Sequence, residues 1–90
     1  MILLLFAERK VMKYDENKVD EMILALLWLN IFDDHDQKQC WKSFDWSAMD
    51  RLHNKGYLSD PKSKAKSVTL TEQGTAKGRE LFEKHFDIEV

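Results

Sequence analysis

Cysteine, proline and glycine are scarce in this sequence of 90 residues. Cys40 is the only cysteine, so the chain cannot form an internal disulfide or a cysteine-rich zinc site, as is typical of proteins in a reducing cytoplasm. We read it as a small, half-buried hydrophobic residue. Pro61 is the only proline, and no low-complexity linker divides the chain. These absences predict a single small domain in the cytoplasm.

Long hydrophobic runs are also absent. The densest run, residues 22–29, has eight residues, whereas a membrane-spanning helix needs about 20. The apolar run at residues 2–6 is short and has no positive charge before it, so it does not have the pattern of an export signal. The sequence therefore predicts no association with a membrane.

No arrangement of catalytic residues is evident. The sequence has no glycine-rich phosphate loop and no nucleophile beside a base, and His35, His53 and His85 are too scattered to define a site. The acidic cluster "DDHD" at residues 33–36 contains side chains that bind divalent cations, but such a short cluster is more typical of a solvated turn. We expect no enzyme activity, no metal, no cofactor and no small-molecule substrate.

Neither sign of charge dominates. The formal net charge is −2, which argues against a protein that binds nucleic acid through its total charge alone. The distribution is uneven, however, because residues 55–79 carry six basic and two acidic side chains, while the rest of the chain carries eight basic and fourteen acidic ones. Positive potential is therefore expected in one part of the chain.

The sequence predicts a first helix that begins at Asp15 or Asn17, with Asp20 and Glu21 placed favourably for the dipole of its early turns. Its apolar residues surround most of the helix: Val19, Met22, Ile23, Leu26, Leu27, Trp28, Leu29, Ile31 and Phe32. A chain of this length has difficulty covering such a helix on all sides, so we expect a homodimer. The residues predicted at its interface are Met22, Leu26, Trp28 and Leu29.

A short second helix, a loose hairpin and a final helix are predicted next. Asp45 is the expected N-cap of the second helix, and Gly56 is its expected C-terminal stop. The apolar side of this helix is predicted to contain Trp46, Met49, Leu52 and, at the edge of the core, His53. Thr71 is the expected N-cap of the final helix, in which Gly74 and Gly78 would be tolerated where another backbone packs closely.

The segments "LHNKGYL" (residues 52–58) and "LTEQG" (residues 70–74) resemble the winged-helix superfamily of bacterial transcription regulators. In those families lysine-glycine ends the recognition helix before the first wing strand, and leucine-threonine-x-x-glycine follows the second. The resemblance implies a mainly α fold with a small β-hairpin. The helix-turn-helix is abbreviated, because residues 33–44 leave room for about one turn of helix and a short strand such as "CWKSF".

A second resemblance extends from Met12 to Phe86. The segments "KVDEMILALLWL", "WKSFDWSAMDRLHNKGYLSDPKSKAKSVTLTEQG" and "ELFEKHF" are similar to a small family of bacterial proteins known only as a domain of unknown function. This resemblance implies one domain at residues 12–90 and no particular activity. Residues 1–11 are then an N-terminal extension, and the alternative is an ordinary terminal element that packs on the domain.

The first functional hypothesis is DNA binding, as in a transcription regulator. The second helix would approach the major groove of double-stranded DNA, and lysines that alternate along a wing strand would contact phosphates. The predicted contacts are Ser47, Arg51, Asn54, Lys55, Lys62, Lys64 and Lys66.

The alternative is a dimeric protein–protein interaction module that uses the winged-helix scaffold without binding DNA. In that case the lysines only keep the hairpin soluble and prevent its pairing with other strands. The large aromatic residues are predicted either to fill the core or to form the partner surface: Trp28, Trp41, Phe44 and Trp46. An exposed patch on the first helix would favour the module, whereas a clean basic face would favour DNA.

Overall fold

The computed structural model describes residues 13–87. Within this part of the chain the elements are, in order, α1 (Glu16–Leu29), β1 (Phe32–Asp34), β2 (Gln37–Trp41), α2 (Trp46–Asn54), β3 (Ser67–Thr69) and α3 (Glu72–Phe86). The fold is mainly α, with a small antiparallel sheet in the order β1-β2-β3. The predicted extension at residues 1–11 lies outside the described residues.

Helix α1 begins at Glu16, between the two predicted starts, because Asp15 caps it. The Asp15 carboxylate accepts a hydrogen bond from the backbone N–H of Lys18 at 3.1 Å, which satisfies one of the unpaired donors of the first turn. At the other end, the side-chain amide of Asn30 donates to the carbonyl oxygen of Leu26 at 2.8 Å. Between these ends α1 packs mainly against α3 and also against α2.

A tight β-hairpin connects α1 to α2. Asp34 pairs with Gln37, which leaves His35 and Asp36 as a two-residue loop with φ values of 51° and 67°. Two consecutive positive φ values are those of a type I′ turn, and His and Asp adopt them more readily than most residues do. The helical turn predicted within residues 33–44 is therefore wrong, and of the predicted strand "CWKSF" only the first two residues lie in β2.

Helix α2 has the ends that the sequence predicted. The Asp45 carboxylate accepts a hydrogen bond from the backbone N–H of Ala48 at 3.1 Å, and Gly56 follows the helix with φ of 85°. The buried side of α2 consists of Ala48, Met49 and Leu52. Trp46 is 60% exposed, so its predicted place on that side is wrong. It occupies the first position of the helix, outside the buried core.

The segment between α2 and β3 is less regular than the predicted hairpin. Leu58 pairs with Leu70 through one isolated bridge, and residues 60–66 form turns and bends. The Asp60 carboxylate accepts a hydrogen bond from the backbone N–H of Lys62 at 2.9 Å, which favours a turn over a strand at this point. The prediction that the three lysines of this segment alternate along a strand is therefore wrong.

Thr71 is the N-cap of α3, as predicted. Its hydroxyl oxygen accepts a hydrogen bond from the backbone N–H of Gly74 at 2.9 Å, and the same hydroxyl donates to the carbonyl oxygen of Gly56 at 2.6 Å. One side chain therefore connects the end of α2 to the start of α3.

Helix α3 approaches its neighbours too closely for side chains at two positions. A Cβ atom on Gly74 would overlap the carbonyl oxygen of Tyr57. A Cβ atom on Gly78 would lie 2.8 Å from the Cβ of Trp28 and 3.1 Å from the carbonyl oxygen of Leu24. The predicted close packing at both glycines is confirmed, and at Gly78 it brings α3 onto the backbone of α1.

Cys40 lies in the core, where its side chain is completely buried. The thiol donates a hydrogen bond to the carbonyl oxygen of Leu27 at 3.0 Å. Burial raises the pKa of the thiol from 9.0 to about 12. The predicted small hydrophobic residue is therefore buried rather than half-buried, and its thiol is protonated at neutral pH.

We expect Gly74→Ala to lower the free energy of unfolding by more than about 2 kcal/mol, because the added methyl group meets a backbone carbonyl that cannot move aside independently. Gln73→Ala, at the adjacent exposed position, is the matched control and should change stability by less than about 0.5 kcal/mol. Urea denaturation followed by circular dichroism measures both values. Equal stability of the two variants would contradict the close approach of α3 to Tyr57.

The buried thiol predicts a pH dependence of stability. Below pH 9 the thiol is protonated in both the folded and the unfolded chain, whereas between pH 9 and 12 only the unfolded chain ionises it. The stability advantage of the wild type over Cys40→Ala should therefore shrink by about 1.4 kcal/mol per pH unit in that interval. Urea denaturation of both proteins at neutral and alkaline pH measures the difference, and an advantage that is constant with pH would contradict the raised pKa.

Candidate nucleic-acid interface

Arg51, a predicted DNA contact, is instead paired with a buried carboxylate. Its Nε and Nη2 atoms donate to the two oxygens of Asp20, each at 2.8 Å, and its Nη1 donates to Glu16 at 3.2 Å. Asp20 is 1% exposed and the Arg51 side chain is 25% exposed. The hydrogen bonds to Asp20 raise the pKa of Arg51 further above its already high value. The guanidinium is thus held against α1, away from an incoming ligand.

The helical spacing of Asp20 indicates a buried carboxylate, whereas we interpreted Asp20 only through the dipole of the early helical turns. Asp20 recurs with Ile23, Leu24 and Leu27 at helical spacing, so it lies on the buried side of α1 as well as near its N-terminus. A carboxylate on an apolar side requires a cation from another element. The sequence does not identify which of the chain's basic residues supplies it, because Arg51 is 31 residues away.

The other predicted contacts on α2 have different environments. Lys55 is partly committed to the same carboxylate, since its Nζ lies 3.6 Å from an oxygen of Asp20. Ser47 and Asn54 are exposed. The structure therefore leaves the second helix with two neutral side chains and one partly paired lysine as its available groups.

The lysines that follow α2 are the most available of the predicted contacts. Lys62, Lys64 and Lys66 are all exposed. None of their ammonium groups forms an ion pair with a carboxylate of residues 13–87. Their charge is therefore directed to solvent on a single irregular loop.

Lys42 is a fourth lysine beside this loop, and it was not among the predicted contacts. Its Nζ donates to the carbonyl oxygen of Ser63 at 2.7 Å and lies 3.4 Å from the hydroxyl of the same residue. Its backbone N–H donates to the carbonyl oxygen of Lys66 at 3.1 Å. Nothing in the local sequence indicates this contact, because it arises from the pairing of β2 with β3.

Two exposed tryptophans border the same region. Trp41, the last residue of β2, is 59% exposed and contacts the ring of Phe32 with centroids 4.9 Å apart. Trp46 and Lys62, together with Ser47 and Asp50, line a depression of about 180 Å³. We call this region the lysine–tryptophan surface, and its members are Trp41, Lys42, Trp46, Lys62, Lys64 and Lys66.

Three carboxylates lie close to the lysine–tryptophan surface. Asp45 caps α2, and Asp60 accepts the hydrogen bond that shapes the lysine loop. Asp50 is half-buried and borders the depression beside Trp46. The positive charge is therefore densest on the loop, and it decreases toward α2.

The residues predicted at a dimer interface differ in their exposure. Met22 and Leu26 are half-buried, whereas Leu29 is 54% exposed. Trp28 is half-buried and packs on Phe82, with ring centroids 5.3 Å apart. Trp28 and Leu29 line an open groove of about 960 Å³ between the end of α1, the sheet and α3.

The histidines and acidic residues of the described chain do not assemble a metal site. Among residues 13–87 no group of three or more His, Cys, Asp and Glu side chains is placed to hold an ion. His53 is half-buried and its Nδ1 lies 2.9 Å from the carbonyl oxygen of Leu58, which confirms its predicted place at the core edge with one hydrogen bond. In the same part of the chain, no helix has the length and apolar character needed to cross a membrane.

The structure defines a small, mainly α protein with a three-stranded antiparallel sheet and a basic, aromatic surface. The chain belongs to the family described as Domain of unknown function (DUF6429), which matches residues 15–88. It is also 45% identical over 75 residues to the uncharacterized protein y4hR of Sinorhizobium fredii (strain NBRC 101917 / NGR234), an alignment that covers 83% of this chain and 97% of the relative. No solved structure matches the chain significantly. The predicted resemblance to a family of unknown function is thus confirmed.

We expect Arg51→Met to lower the free energy of unfolding by about 3–5 kcal/mol, because it leaves the buried carboxylate of Asp20 without its main partner. The double variant Asp20→Leu/Arg51→Met should recover most of this loss, since it removes both charges. Arg79→Met, which removes only an exposed pair with Glu83, is the control and should cost less than about 0.5 kcal/mol. Urea denaturation of the three variants tests this, and a harmless Arg51→Met would contradict the buried pair.

Proposed function

We propose that this protein binds DNA through its lysine loop, in the manner of the wing of a winged-helix protein. The single observation that supports this most strongly is the group of three exposed ammonium groups on one short segment, none of which forms an ion pair with a carboxylate of residues 13–87, with Lys42 beside them. Lysines so placed attract phosphates of a nucleic-acid backbone, and they do so despite a net charge of −2 because the interaction is local.

The order of the elements supports the winged-helix comparison. Helix α1, helix α2, the segment at residues 57–70 and helix α3 follow each other as the resemblance implies, with the segment in the place of the wing. The hairpin β1–β2 occupies the position where those families have a further helix. The proposed protein therefore has the wing without a complete helix-turn-helix.

The groups available on α2 support the loop, rather than the helix, as the main contact. Arg51 is committed to Asp20, and Asp45 and Asp50 would repel phosphates at the start of the helix. Ser47 and Asn54 supply only neutral hydrogen bonds. Base-specific recognition by α2 is therefore weak in this proposal, and most of the affinity comes from phosphate contacts.

Fluorescence anisotropy with a labelled duplex of random sequence, between about 50 and 200 mM salt, tests the proposal. Three to four lysine–phosphate contacts give a log–log slope of roughly −3. Absence of binding at the lowest salt concentration would contradict the proposal.

We expect the triple variant Lys62→Glu/Lys64→Glu/Lys66→Glu to abolish this binding while its thermal stability stays near that of the wild type, because all three side chains are exposed. The matched control is Lys18→Glu/Arg79→Glu/Lys84→Glu, which changes the net charge equally at exposed positions outside the lysine–tryptophan surface. The control should retain most of the affinity. An equal loss in both variants would mean that total charge, not the loop, determines binding.

A dimeric interaction module is the second candidate, and the exposed groove beside Leu29 favours it. Exposed leucine at the end of α1, next to an open apolar groove, is a surface that a second copy of the chain could cover. Met22 and Leu26 follow one another at a spacing of four and are only half-buried on the same helix. This role does not require the lysine loop, so the two proposals can be tested separately.

We expect Leu29→Asp to convert a dimer into a folded monomer, because this side chain is more than half exposed. Leu26→Asp should instead lower the stability, since it introduces a charge at a half-buried position. Sedimentation velocity and circular dichroism measure the two effects. A wild-type protein that sediments as a monomer at micromolar concentration would remove the dimer from consideration.

A further inference from the structure

We infer that the ligand of the lysine–tryptophan surface is single-stranded DNA, whose unpaired bases stack on Trp41 and Trp46 while its phosphates follow the lysine loop. This inference rests on the proposed DNA binding and specifies the form of DNA that is bound. It also gives a role to the exposed indole rings of Trp41 and Trp46, which phosphate binding alone would not use.

Trp41 has the properties of a stacking platform. It lies at the end of β2, directly opposite Ser67, the residue that follows the lysine loop. The ring of Phe32 packs against it at 4.9 Å with an interplanar angle of 32°, which restricts the indole while 59% of the residue stays exposed. A held, exposed aromatic ring loses little conformational freedom when a base stacks on it.

Trp46 provides a second exposed ring beside the loop. It is 60% exposed and lines a depression of about 180 Å³ with Lys62, Ser47 and Asp50. Lys42, which follows Trp41 directly in sequence, reaches the loop through its hydrogen bond to Ser63. One ring thus borders Lys62 near the start of the loop, and the other lies on the strand residue opposite Ser67 at its end. Cationic and aromatic groups combined in this way suit single strands.

The bases of a duplex are stacked and paired, so they cannot reach these rings. A duplex would therefore use the lysines alone. A single strand is flexible enough to expose its bases to the tryptophans while its phosphates stay near the loop. The exposure of the two rings thus favours the single strand.

The sheet beside Trp41 makes this surface rigid but does not recognise particular bases of the ligand. The side-chain amide of Gln39 donates to Thr69 Oγ1 at 2.7 Å and to Gln37 Oε1 at 2.9 Å, and its oxygen accepts from Ser67 Oγ at 2.9 Å. The amide of Gln39 is therefore satisfied within the sheet and is not offered to base edges or to a ribose 2′-hydroxyl. We assign DNA, the nucleic acid of the proposed function, as the ligand and expect little sequence preference.

Anisotropy titrations with labelled oligonucleotides of about 15 nucleotides test the inference, since this length exceeds the footprint of most small single-strand binders. The probes are a mixed-sequence single-stranded DNA, the duplex of the same sequence and the corresponding RNA. The single-stranded DNA should bind about tenfold more tightly than the duplex, and the RNA should bind no more tightly than the DNA. A preference for the duplex or for the RNA would overturn the assignment.

Variants separate stacking from charge. Trp41→Ala and Trp46→Ala should each weaken single-strand binding about tenfold with an unchanged salt slope, and Trp41→Phe should restore much of the affinity because it keeps an aromatic face. The matched control is Tyr14→Ala, which removes an aromatic side chain that is 53% exposed and lies outside this surface. Circular dichroism establishes that each variant is folded.

The outcomes distinguish this inference from the proposed function. Suppose that the duplex binds at least as well as the single strand, that both tryptophan variants bind normally and that the lysine triple variant does not bind. The proposed DNA binding is then supported, and the stacking of bases on Trp41 and Trp46 is contradicted. If no oligonucleotide binds at low salt, both are wrong. Single-strand preference that disappears in the tryptophan variants supports both.

Discussion

The ion pair between Asp20 and Arg51 is the constraint on which the arrangement of the first two helices depends. A carboxylate that is 1% exposed can stay charged in the core only if cations satisfy both of its oxygens. Arg51 does so with two hydrogen bonds of 2.8 Å, and Lys55 adds a third basic contact. The requirement determines the rotation of α2 relative to α1, because the guanidinium must reach a fixed point on α1.

This constraint also determines which surface is available for function. Because α2 directs its most basic side chain inward, the exposed side of that helix is left with neutral and acidic groups. The available positive charge is displaced to the loop at residues 60–66, where no described carboxylate pairs with it. The helix that resembles a recognition helix in sequence therefore has its arginine paired within the fold, and the adjacent loop is where we propose contact with a ligand.

Close backbone packing sets the position of that loop. Gly74 and Gly78 allow α3 to approach Tyr57 and α1 within distances that no side chain would permit, and Thr71 connects the end of α2 to the start of α3. The loop lies between α2 and β3, so these contacts hold the segment that precedes it, and the pairing of Ser67 with Trp41 holds the end that follows it. Its lysines can consequently be exposed on an irregular backbone without losing their position relative to Trp41 and Trp46.

The sequence by itself determined the helices, their caps and their close contacts. Each helix cap forms its hydrogen bond within four residues of its own position, as Asp15, Asp45 and Thr71 do. A glycine on a predicted helix indicates close packing, and its spacing is visible in the local sequence. The hairpin β1–β2 was missed because its turn uses positive φ values at His and Asp, where glycine or asparagine would have been the usual signal.

Only the tertiary structure decided which charged and aromatic groups are available. Arg51 and Lys62 look equally suited to bind phosphate in the sequence, yet Arg51 is half-buried and paired with Asp20, whereas Lys62 faces solvent. Trp41 was expected in a core or an interface and lies exposed beside the lysines, and Lys42 joins them through strand pairing. The physical reason is that a side chain's exposure and partners depend on residues distant in the chain, whereas caps and helical periodicity depend on its neighbours.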